Sequence, residues 1–164
     1  MYSVRFAAAH DDAAIGELLV TAFVERYARK MPEVVVTERR KRELRDVAAK
    51  RAVAKVWVAA KGETVVGTVA LWPPGAPGSE AWRENAADLR HLAVREGNPG
   101  VSGLLLGAAE AWAREHGCAC VGLHVRRGAL GVRALYEGRA YLRDAPGDLD
   151  LLPEVFLEAF YLPL

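Results

Sequence analysis

The chain has 164 residues, a length that fits one domain with a sizeable core. A net charge of +1 with 26% charged residues leaves no global field to draw it to nucleic acid or to a membrane surface. Hydrophobic content of 52% argues against disorder, and no apolar run is long enough to span a bilayer.

Met1 to Phe6 lacks the basic-then-apolar layout of a signal peptide, so the expected location is cytoplasmic. Ser3 to Ala7 reads as a first strand. Asp11 or Asp12 can cap a helix whose apolar positions Ile15, Leu18, Leu19, Ala22, Phe23 and Tyr27 follow helical spacing, with Pro32 as its stop. Thr37 can cap a second helix to about Arg51. Leu44, Val47 and Ala48 turn inward there, and Arg39, Arg40, Lys41, Arg42 and Arg45 mostly outward as a solvated face.

Val56 to Ala60, the turn Lys61-Gly62-Glu63 and Thr64 to Trp72 form a hairpin. Pro73 to Ala87 is rich in Pro and Gly and reads as a loop internal to the domain, with a helical turn near Trp82. Asp88 to Val94 is the next strand. A long helix follows, with Val101, Leu104, Leu105, Ala108, Ala109, Trp112 and Ala113 on one face and Gly117 as its C-cap. Ala119 to Val125 is a strand, and a strand–helix–strand of this length implies a parallel pair. Gly131 to Arg139 is a short helix, Tyr141 to Arg143 begins a strand, and Val155 to Leu162 is a last strand, apolar enough to be buried on both faces. That last strand could also pair across a dimer, so monomer and homodimer both stand.

Cys118 and Cys120 share a face of one strand and cannot easily meet disulfide geometry. With His116 and His124 nearby they match no standard zinc spacing, so buried thiols are favoured over a metal site.

The most informative stretch is the loop before the long helix, Gly97-Asn98-Pro99-Gly100-Val101-Ser102-Gly103-Leu104. Asn98 suits an N-cap and Pro99 a first helical residue. The amides of Gly100, Val101, Ser102 and Gly103 are then open to an anion, with Gly97 and Asn98 in reach. Glycines allow a phosphate close to the backbone. Neither a Walker loop nor a Gly-x-Gly-x-x-Gly fingerprint is present.

Leu92-Ala93-Val94, this loop, Leu104 to Gly117, Leu123-His124-Val125 and Ala134-Leu135-Tyr136-Glu137 together resemble the GNAT N-acetyltransferase superfamily. The resemblance runs over most of the chain and is most specific from Leu89 to Tyr141. It implies one GNAT-like domain over residues 1–164. The fold would be α/β, a mostly antiparallel mixed sheet with one splayed parallel pair and helices on both faces. It further implies acetyl-CoA as cosubstrate, its pyrophosphate on the loop amides through Leu104 and its pantetheine arm paired with Leu92, Ala93 and Val94. A bulge N–H in that strand would serve as an oxyanion donor.

Four departures stand out. Gly97 replaces the family's leading Arg/Gln, Ser102 its last Gly/Ala, Ala129 an Asn seven residues before the tyrosine, and Ala140-Tyr141 the usual Gly-Phe. Tyr136 stands where the family places its general acid. The family often draws its base from the strand before the loop, which here offers Asp88, Arg90 and His91; His91 titrates near neutrality. His124 lies on the neighbouring strand. Tyr27 late in the first helix and Trp72 at a strand end are candidate acceptor contacts. The function implied is acetyl transfer to a primary amine, small-molecule or peptide, by direct attack in a ternary complex. The competing reading is a CoA-binding sensor of the same fold without turnover.

Overall fold

The computed structural model describes residues 1–31 and 36–164. The chain forms a mixed α/β fold on an open sheet, and it divides into two compact units. The first comprises Met1–Leu71 and His91–Ala109, the second Trp72–Arg90 and Glu110–Leu164. Among the described residues no helix is long and apolar enough to cross a membrane.

In the first unit β1 (Tyr2–Phe6) and β2 (Lys55–Lys61) are antiparallel, with Val4 opposite Ala59. β2 turns at Gly62, φ 63°, into β3 (Thr64–Trp72), whose bounds match those expected. The strand β4 (Ala86–Val94) follows β3 in the sheet. Val56 to Ala60 and Val65 to Trp72 are buried throughout, which explains why both strands read as continuous apolar runs.

The first helix is not uniform. After a short 3-10 turn (Ala9–Asp11), α1 (Asp12–Val20) passes through a π segment (Thr21–Arg26) into α2 (Tyr27–Lys30). Asp11 makes no side-chain cap to α1, and closes a capping box on the 3-10 turn before it. Its carboxylate instead accepts from the Ala8 N–H at 2.8 Å and from Arg5 at 2.7 and 3.0 Å. Pro32, the expected stop, lies outside the described residues.

The expected second helix is two helices, α3 (Glu38–Arg45) and α4 (Val47–Val53), broken at Asp46, whose ψ of 64° is not helical. Thr37 Oγ1 caps α3 by accepting from the Arg40 N–H at 3.1 Å, as expected. Asp46 caps α4 through the Ala49 N–H at 3.4 Å. The break rotates α4, so Ala48 is exposed rather than inward, and Lys50 is buried in its place.

The long helix α5 (Val101–Glu115) begins at Val101, after Gly100, and not at Pro99. Its inward face is also turned from the expected one. Leu106 and Glu110 are buried with Val101, Leu105, Ala109 and Ala113, while Leu104 is 47% exposed. Val101 and Leu105 pack closely against β3. An atom added at Gly67 of β3 would lie 2.9 Å from both side chains, so the glycine is what lets the start of α5 approach the sheet.

In the second unit β4 pairs in parallel with β5 (Cys120–Arg126), from Ala86 opposite Cys120 to Asp88 opposite Gly122, where the paired register ends. β5 is antiparallel to β8 (Val155–Pro163), which also pairs with β6 (Leu142–Arg143) and β7 (Leu149–Leu151). β7 was not expected, because three residues between turns carry no periodic signal. Only Ala159 and Phe160 of β8 are fully buried, so it is not covered on both faces along its length. The helix α6 (Leu130–Glu137) precedes β6. No helical turn forms at Trp82; a turn at Glu84–Asn85 replaces it.

Candidate active site

β4 carries an unusual backbone. His91 sits in the middle of the strand at φ 59°, a left-handed conformation that side chains rarely adopt. Such a residue turns its peptide groups out of the ladder, as a bulge does, and strain of this kind clusters at functional sites. Beyond it the strand alternates regularly. The Arg95 N–H donates to Val66 of β3 at 2.7 Å, so Val94 presents its peptide groups to the opposite edge. There its carbonyl accepts from the Arg26 guanidinium at 2.7 Å.

The loop after β4 is held by side chains other than the expected cap. Asn98 does not cap α5. Its amide donates to the carbonyls of Arg95 at 2.9 Å and Glu96 at 3.2 Å, and its oxygen accepts from Tyr2 Oη at 3.1 Å. Gly97 and Gly100 are both at φ 83°, with open space where a side chain would project. The first helical bond is donated by Leu104 to the Gly100 carbonyl, at 3.2 Å. The helix therefore offers no acceptor to the N–H groups of Val101, Ser102 and Gly103, which lie at its positive end. Glu96, the only acid in the loop, is neutralised by Arg26 at 3.6 Å and Arg29 at 3.4 Å. This is a cradle that fits a polyphosphate: open glycines, donors at the positive end of a helix, and no uncompensated negative charge.

Lys50 and Phe23 of the same unit lie against His91. Its Nδ1 is 3.2 Å from the Nζ of buried Lys50, and its ring centre is 6.1 Å from that of Phe23, which in turn stacks on Tyr27 at 6.1 Å. Sequence reasoning missed Lys50, because a lysine in a basic helix reads as solvated.

The remaining candidates lie in the second unit. Tyr136 is buried on α6, its ring edge-on to Tyr141 at 5.4 Å. The Tyr141 hydroxyl donates to the buried Glu110 carboxylate at 3.0 Å, which also accepts from Arg139 Nε at 3.1 Å. Burial, and then the Glu110 charge, push the Tyr141 phenol far up. Trp72 is buried with the Arg90 guanidinium 4.2 Å from its ring centre. Arg90 in turn reaches Asp88 at 2.7 Å and Glu80 at 2.9 Å. His124 Nε2 donates to the Gly147 carbonyl at 2.8 Å and packs on Trp82, whose indole N–H donates to Asp144 at 2.7 Å. Both cysteines are buried and free, and burial pushes both thiols up.

Comparison with known proteins bears on these elements directly. The model of the Acetyltransferase (GNAT) family matches residues 13–141. No curated protein matches the chain. Among solved structures, an acetyltransferase of the GNAT family from Staphylococcus aureus is similar at 14% identity, with 100% of this chain and 99% of that one covered and a TM-score of 0.75. The PaiA N-acetyltransferase of Thermoplasma acidophilum, solved in complex with coenzyme A, is similar at 15% identity, 97% and 98% coverage and a TM-score of 0.70. Salmonella typhimurium yncA, solved with its cofactor acetyl-CoA, is similar at 17% identity, 99% and 94% coverage and a TM-score of 0.66. With a family match from the first helix to Tyr141, over the left-handed strand and the open-glycine loop, this chain belongs to the GNAT acetyltransferase family.

Proposed function

We propose that the protein transfers an acetyl group from acetyl-CoA to a primary amine, by direct attack in a ternary complex. The observation that carries this reading is the set of first-turn N–H groups of α5, placed behind Gly97 and Gly100 at the end of a strand with a left-handed His91. Two solved relatives bind CoA or acetyl-CoA, which supports the same cosubstrate here.

In this reading Val101, Ser102 and Gly103 bind the pyrophosphate through main-chain N–H groups, with Gly97, Asn98, Gly100 and Leu104 shaping the loop. Leu92, Ala93 and Val94 pair with the pantetheine arm. Bound there, acetyl-CoA supplies a thioester carbonyl open to attack. The backbone N–H turned out of the ladder at His91 donates to the oxyanion that forms on this carbonyl. The neutral amine attacks, His91 accepts the proton that the ammonium must lose, and the Tyr136 hydroxyl protonates the departing thiolate. Tyr27, beside Phe23, contacts the acceptor. Trp72 and His124 complete the acceptor contacts expected from the sequence. Direct attack is favoured over an acyl-enzyme because both thiols are raised by burial, so neither is an activated nucleophile.

The test is Tyr136→Phe, read by CoA-dependent thermal shift and by acetylation of an amine panel. Retained CoA protection with a rate loss of about 10²- to 10⁴-fold is the expected result. A parent protein that gains no thermal protection from CoA sinks the reading. Protection without acetylation of any amine turns it into the sensor.

A further inference from the structure

We propose that Lys50 and His91 form one proton-accepting couple, in which the proton taken from the acceptor's ammonium at His91 Nε2 is matched by transfer of the Nδ1 proton to Lys50 Nζ. The inference rests on the acetyl-transfer reading and extends it to a residue on α4.

The geometry is the first support. Lys50 is buried, with its Nζ 3.2 Å from His91 Nδ1, a distance at which the two nitrogens must share a hydrogen. An ammonium has three donors and no lone pair. While Lys50 is charged, Nδ1 can only accept, so the ring proton stands on Nε2 and His91 has no base to offer outward. Protonating the ring in that state would place two cations in contact out of water, which is costly. His91 therefore becomes a base at Nε2 only when Lys50 is neutral and Nδ1–H donates to Nζ.

The proton balance then closes. An N–H bond of the acceptor breaks and one forms at Nε2; the Nδ1–H bond breaks and one forms at Nζ. The couple ends as an ammonium beside a neutral imidazole and is reset by loss of one proton to solvent.

The surroundings make the neutral lysine accessible. Burial first, and then the Arg40 charge on α3, lower the Lys50 ammonium to about 8 against the opposing pull of Asp12 on α1. The Asp12 carboxylate is itself paired with Arg51 at 2.7 Å. β2, packed against α4, carries no charge between Val56 and Ala60.

The experiment uses the full chain labelled with ¹⁵N at histidine, the His91 signals being assigned through His91→Gln. The wild-type ring should show a bare Nδ1 and an Nε2–H below pH 8, with the Nδ1–H form growing in above it. Lys50→Arg, which keeps the charge but cannot become neutral, should hold the bare Nδ1 to high pH. It should also lower kcat/KM for acetylation about 10²-fold at pH 8.5 while CoA protection against heat stays unchanged. Lys50→Met should return the ring to titration near 6.5, the ordinary histidine value. A wild-type ring that becomes doubly protonated near 6.5 overturns the couple, whatever the activity. A ring that behaves as stated in a protein that acetylates no amine leaves the pairing intact and removes its catalytic role together with the acetyl-transfer reading.

Discussion

At the scale of single residues, Ala140 shows how a departure from a family pattern becomes a physical cost. It follows α6 at φ 71°, exposed, at a position where glycine would adopt the same backbone freely. A left-handed non-glycine residue costs about 1–2 kcal/mol, part of which glycine returns as entropy of the unfolded chain. Ala140→Gly is expected to stabilise the protein by roughly 1 kcal/mol in urea unfolding. Tyr136 becomes a candidate in the sequence only through its family context, since a buried tyrosine on a short helix is otherwise ordinary. Lys50 was not legible at all. It reads as surface charge, and its place is decided by which strand its tip reaches, a long-range fact absent from local pattern.

At the scale of elements, strands were read better than helices. β3 was legible to the residue because a glycine turn precedes it and Pro73 ends it. Helices failed where a polar residue interrupts the period. Asp46 splits α3 from α4, and what would have continued as one stripe becomes two with different inward faces. The start of α5 was displaced because Asn98 and Pro99 have good cap chemistry, yet the left-handed glycines at 97 and 100 spend the loop on a wider turn. Gly67 is the element-scale determinant of the cradle. Gly67→Ala would push Val101 and Leu105 outward, costing about 1–3 kcal/mol as overpacking does. Because Val101 begins the helix, CoA affinity should fall as well, in contrast to a substitution that destabilises from elsewhere in the fold. Calorimetric titration of CoA against the folded variant checks this.

At the scale of the whole molecule, stability depends on carboxylates held by arginines. Hydrogen bonding to Arg5 holds Asp11 at about 2, against an ordinary carboxylate value near 3.8. Arg83 and the Trp82 indole hold Asp144 low, and Arg143 holds Asp148 low. A carboxylate whose folded value is depressed contributes stability that is fully present above its unfolded value and is lost as pH falls through the folded one. Unfolding free energy should therefore be flat from pH 7 to about 5 and then decline from pH 4 toward pH 2. Asp11→Asn should make that decline shallower while lowering stability at neutral pH. A curve that stays level to pH 2 in the parent would contradict this account.

The bond from Arg26 to the Val94 carbonyl has one more consequence. A strand edge normally invites another strand, because it both gives and receives hydrogens at alternate residues. At Val94 the receiving half is already taken, so what is turned outward is a donor alone. A second polypeptide seeking to extend the sheet meets a mismatch there, whereas a slender molecule bearing acceptors does not. In the reading proposed above, one guanidinium thus discourages aggregation along the edge assigned to the cosubstrate and leaves its donor facing that ligand.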